Sequence, residues 1–130
     1  MSKFKIFSYR SIYGDLATYD PRLDPHRFEI YNEWLVPIGF TIGSNEKDDH
    51  CFELQVCSAE FIARHTPTWG RFRLILADWD LEEIIYSVEE IIKECCEIIN
   101  EQHIPAEQVY KNLSRYMEWE FEPVNIIHLT

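Results

Sequence analysis

The side chains with the widest chemical reach in this 130-residue chain are four cysteines and five histidines. Their spacing assembles none of the common reactive sites. Zinc pairs favour two thiolates separated by two residues, whereas Cys51 and Cys57 are six apart and Cys95 and Cys96 are adjacent. His26, His50, His65, His103 and His128 show neither an H-x-H nor an H-x-x-x-H spacing. His50 and Cys51 would offer two ligands, but neighbours on a strand point to opposite faces. Cys57 acts as a nucleophile only if a base is brought to it in space. As a half-buried strand residue it needs no such partner, and that is the simpler reading. Glu46, Asp48 and Asp49 lack the ligand order of a calcium loop and read as a solvated hairpin tip. Four glycines leave no phosphate-binding loop, and no G-x-S-x-G elbow occurs. Carboxylate pairs are so abundant here that none is singled out for acid–base work. The expectation is therefore no catalytic residue, no metal and no cofactor: a protein that is not an enzyme.

What does emerge is a set of carboxylates with helical periodicity. At about 100° per residue, Glu83, Glu90, Glu94, Glu97 and Glu101 fall within an arc of roughly 60°. Lys93 is the only base among them. Like charges at i,i+4 repel by a few tenths of a kcal/mol, and a solvated face more often mixes in lysine. The pattern fits two readings equally, a solvated face or an anionic strip for a cationic partner. Any such contact also needs buried anchors, because rim charges contribute little. Trp34, Trp79 and Tyr86 are the aromatic candidates, each with core packing as the alternative.

The helix that carries these residues is the most regular element of the sequence. Asp80 and Glu83 have the spacing of a capping box. Leu81, Ile84, Ile85, Val88, Ile91, Ile92, Cys95 and Ile99 then form one apolar stripe opposite the glutamates. Pro105 suits the first turn of a second helix, with Val109, Leu113 and Met117 spaced four apart. Upstream, Phe4–Ser8 reads as a strand and residues 9–27 as an irregular loop. Phe28–Phe40 reads as a long strand, edge-placed or bulged near Pro37. A polar turn at Gly43–Asp49 leads into a strand at Cys51–Cys57, with Phe52, Leu54 and Val56 on one face. Ser58 caps a short helix reaching Arg64, Phe72–Leu76 is a further strand, and Trp119–Glu122 closes the chain as a short one. The predicted architecture is α+β: an antiparallel sheet of about four strands, with two long C-terminal helices packed on one face. Residues 1–130 form a single domain.

With 23 acids against 12 bases the formal charge is −11. Phosphates would be repelled, which argues against nucleic acid as a direct ligand, and the same holds for an anionic membrane. A basic protein partner is favoured. No stretch approaches the roughly 20 apolar residues that span a bilayer, and the first residues lack the apolar run of a signal peptide. A cytoplasmic protein with free thiols is expected.

Several local patterns, taken in order, resemble the immunity protein 8 family of bacterial polymorphic toxin systems. They are Leu16-Ala17-Thr18-Tyr19-Asp20-Pro21 with Asp24-Pro25-His26-Arg27-Phe28, then Phe52-Glu53-Leu54-Gln55-Val56-Cys57-Ser58. Trp69-Gly70-Arg71 and the strand to Leu76 follow. Leu113-Ser114-Arg115-Tyr116 then runs into Trp119-Glu120-Phe121-Glu122, the most specific of the set. The tail departs from the family by continuing through Pro123-Val124-Asn125-Ile126-Ile127. The resemblance implies a small α+β protein that binds and blocks the C-terminal domain of a cognate toxin, by occluding its active site or its substrate-binding surface. Many such toxins are nucleases, whose grooves are basic. The resemblance carries over no partner-binding residue; the candidates from the helix pattern and the aromatics are Glu83, Glu90, Glu94, Glu97, Glu101, Trp79 and Tyr86. An acidic adaptor for another basic protein is the alternative, followed by a small metal-dependent hydrolase.

Overall fold

The computed structural model describes residues 4–21, 33–64, 73–97 and 106–120. Strands β1 (Lys5–Arg10), β2 (Leu35–Gly43) and β3 (Asp49–Ser58) form an antiparallel meander. Helix α1 (Ala59–Arg64) leaves β3, and strand β4 (Arg73–Leu76) returns alongside it. Helices α2 (Leu81–Glu97) and α3 (Ala106–Leu113) follow, then strand β5 (Glu118–Trp119).

The central pair is written by alternation. On β2, Val36, Ile38, Phe40 and Ile42 are buried, and on β3 so are Phe52, Leu54 and Val56. Period-two spacing puts both sets on one face. The β2–β3 turn is held by Asn45, whose side-chain oxygen accepts from the Lys47 and Asp48 amides over the short 3-10 turn Glu46–Asp48. Pro37 sits within β2 but beyond the end of β1. Its carbonyl accepts from the Ser11 hydroxyl at 2.8 Å. In a strand the nitrogen of a residue points the same way as its carbonyl, so the missing Pro37 N–H faces away from β3 and the ladder loses nothing. The strand also continues to Gly43, past its predicted end; residues 28–32 lie outside the described set.

Two expectations are corrected. Among the described residues the sheet has five strands, and it is mixed, because β4 runs parallel to β3 from Gln55↔Arg73 to Ser58↔Leu76. A parallel return needs a crossover of a dozen or more residues, which the α1 segment supplies. Strand β5 pairs antiparallel with the other half of β3, Phe52↔Trp119 and Glu53↔Glu118. Among the described residues only α2, with 17 residues, is a long helix; α3 has 8. Beyond Leu113 the Arg115 and Tyr116 amides bond to the Asn112 and Leu113 carbonyls, three residues back. This tighter turn ends the helix. Met117 is still fully buried, as its spacing predicted, but from the turn rather than from α3.

The helices pack on the apolar sheet face. Ile84, Val88, Ile92 and Cys95 from α2 and Val109, Tyr110 and Leu113 from α3 join the β2 and β3 residues in one core. Trp34 is fully buried in it, which removes it from the candidate surface anchors. Cys57 and Phe61 are buried outside that cluster. Helix α1 packs against β3 and β4, so this end of the second sheet face carries its own small cover.

Candidate functional site

The orientation of α2 is fixed before any of its polar residues is considered. Asp80 caps it, accepting from the Glu83 amide at 3.2 Å through Oδ1. This satisfies one of the free N–H groups of the first turn. Burial of Ile84, Val88, Ile92 and Cys95 then presses one stripe onto the sheet. Between α2 and α3, the buried Asn112 donates from Nδ2 to the Cys95 carbonyl at 3.1 Å and accepts from Gln108 Nε2 at 3.1 Å. The opposite face of α2 is thereby held toward solvent by groups that cannot rotate away.

That face carries Glu82, Glu83, Glu89, Glu90 and Glu94, all exposed, with Lys93 beside them. Tyr86 lies among them with 62% of its surface exposed. Its hydroxyl donates to Glu90 Oε1 at 3.3 Å, so the ring is steadied on the helix while remaining accessible. Tyr116, from the turn after α3, donates to Glu94 Oε1 at 3.5 Å. The Glu94 charge pushes the Tyr116 phenol above its usual range, with burial and that hydrogen bond adding to the shift. Glu83, Glu90 and Glu94 make no ion pair with any described residue. The last turn of α2 has no base, although a helix C-terminus favours positive charge. Among the described residues these carboxylates are thus left without an ion-pair partner.

Of the predicted positions, Glu83, Glu90, Glu94 and Tyr86 share this surface. Glu97 is the last residue of α2, and Glu101 lies outside the described residues. Trp79, just before the helix, is half-buried and meets Trp34 edge-on at 5.5 Å and Tyr19 edge-on at 5.8 Å. Packing therefore engages much of that ring.

The reactive side chains stay apart. All four cysteines are free thiols. Burial, reinforced by Cys96 and Glu94, pushes the Cys95 thiol up to about 12, far from a reactive thiolate. Among the described residues no three of His, Cys, Asp and Glu converge as metal ligands. His50 and Cys51 point to opposite faces, as the strand geometry required. The sequence did not reveal that His50 stacks on Tyr110 at 4.0 Å and accepts from Trp119 Nε1 at 3.0 Å through Nδ1. This cluster fastens β5 to the sheet. Its members are 69 residues apart in the case of His50 and Trp119, and only the Trp-Glu-Phe pattern hinted at a strand there.

Among the described residues no helix is long and apolar enough to cross a membrane. No curated protein and no solved structure matches the chain. The family model described as Immunity protein 8 matches residues 5–123. The chain belongs to that family, and residues 124–130 fall beyond the match.

Proposed function

From that membership, we propose that the protein neutralises the C-terminal domain of a cognate toxin by binding it and covering its active site or the surface that receives its substrate. It works by occupancy, with no reaction of its own. The observation that carries the reading is the outward face of α2: exposed Glu83, Glu90 and Glu94, with no ion pair among the described residues, around the exposed Tyr86. A toxin that handles nucleic acid holds phosphates in a basic groove. An anionic strip on a rigid helix matches such a groove in charge and speeds encounter. By their spacing in the sequence, Glu97 and Glu101 are included in the same partner-binding set. Tyr86 supplies the aromatic contact that charges alone do not, and Trp79 contributes from the helix start.

The test is the association rate. Reversing Glu90, Glu94 and Glu97 together to lysine should slow binding to the toxin domain and flatten its dependence on salt, because steering acts mainly on the on-rate. Unchanged kinetics with an unchanged circular dichroism spectrum would take α2 out of the interface. The adaptor reading, in which the basic partner has no link to toxin defence, is separated by gene context. An immunity gene should adjoin one encoding a toxin C-terminal domain.

A further inference from the structure

The face of the sheet turned away from α2 and α3 carries its charges in rows. Lys5, Gly43 and Asp49 stand side by side across β1, β2 and β3, and so do Arg10, Gly39 and Glu53. All lie opposite the core-facing Phe40 and Ile42 in the alternation of β2. Lys5 and Arg10 are an odd number of residues apart, so a regular strand would place them on opposite faces. The register shift between Ile6 and Ser8 turns both to the same one. Each row therefore runs base, glycine, acid.

Among the described residues these charges make no ion pair, and the Lys5 ammonium lies over the Phe7 ring at 5.1 Å. Gly39 leaves room for the Arg10 side chain to cross β2, with its Cγ 3.8 Å from where a Cβ would stand. Its Nη2 reaches 4.0 Å from Cys51 Sγ. Neither Lys5 nor Arg10 makes an ion pair with a described residue, and Lys5, Arg10 and Glu53 are all exposed.

We propose that this face is an isologous interface between two copies of the chain. A two-fold axis along β2 lays β1 of one copy over β3 of the other. Lys5 then meets Asp49 of the second copy and Arg10 meets its Glu53, row for row and twice by symmetry. A two-fold axis across the strands would instead stack β1 on β1 and bring the bases together. Along the favoured axis β2 presents glycines and Thr41, small enough for two sheets to approach to about 10 Å. Helix α1 covers the Cys57 end and confines the contact to the rows beyond it. The acidic faces of both α2 helices remain outward, so this contact is independent of toxin binding. The overall charge of −11 opposes association. The attraction is local, and salt weakens both forces, so charge exchange is the sharper test.

The full chain is examined by sedimentation equilibrium, with the fold of each variant checked by circular dichroism. The wild type should show twice the 15.6 kDa chain mass. Arg10→Glu and Glu53→Arg should each weaken self-association by about tenfold or more, since every reversal acts at two symmetric contacts. An equimolar mixture of the two variants should recover the dimer, because each restores the pairing that the other lacks. A wild type that stays monomeric at millimolar concentration, or folded variants whose mixture associates no better than either alone, would overturn the proposal and give the face to a different occupant.

Discussion

Replacing Glu94 by lysine should make the free protein more stable while making it a poorer inhibitor. Glu94 is exposed in the last turns of α2, which has no base in its final turn. It repels Glu90 one turn before it, and the reversal converts that repulsion into a Glu-to-Lys pair in the favourable orientation, each change being worth about 0.2–0.5 kcal/mol. A positive charge near the helix C-terminus adds about 0.3–1 kcal/mol. Set against this is the loss of the Tyr116 hydroxyl contact, which at 3.5 Å is at the limit of a hydrogen bond. Surface screening trims the gain, leaving about 1 kcal/mol, or a few degrees in Tm. Thermal unfolding followed by circular dichroism measures it, and the gain should shrink as salt is raised. Binding to the toxin domain, measured on the same sample, should weaken. A lower Tm for Glu94→Lys would refute the reasoning, since it would mean that Glu94 is held for the fold, through Tyr116, rather than left uncompensated for a partner.

Asn112→Ala leaves the Cys95 carbonyl without its partner at the α2–α3 contact and should cost about 1–3 kcal/mol in urea unfolding. A variant as stable as the wild type would show that this bond does not hold α2 in place. Burial, with Asp48 and Asp49 nearby, raises the Tyr110 phenol above its ordinary 10. The folded state thus keeps a proton that the unfolded chain gives up. The stability it contributes is whole below the unfolded value and drains away as pH rises through the folded one. Tyr110→Phe should flatten this alkaline loss in a pH series of Tm values, while losing the hydroxyl's bond to the Asp48 carbonyl at neutral pH.

The parts of the fold that were legible in the sequence are those set by local periodicity and local caps. The stripe of α2 through Cys95 (Ile99 lies outside the described residues), the alternation of Phe52, Leu54 and Val56, and the caps at Ser58 and Asp80 all stand where the spacing put them. What was not legible depends on contacts between distant residues. Nothing in Arg73–Leu76 itself says that it pairs parallel with β3; that follows from where α1 leads the chain. The bulge that turns Lys5 and Arg10 to one face appears only when β1 is laid against β2. The surface strip follows the same rule. Exposure of Glu83, Glu90 and Glu94 came from the wheel, but Trp34 and Trp79 read alike as sequence. The structure separates them by what packs around each: Trp34 is enclosed on all sides, and Trp79 only in part.

The most direct test of the central claim is co-purification from the native locus. This protein is tagged, and whatever accompanies it is identified by mass spectrometry and assayed after separation. The account predicts a stoichiometric toxin domain that is inert in the complex, becomes active once stripped, and is silenced again when the protein is returned. Recovery of the protein without that domain, while the neighbouring gene's product is demonstrably present, would contradict it.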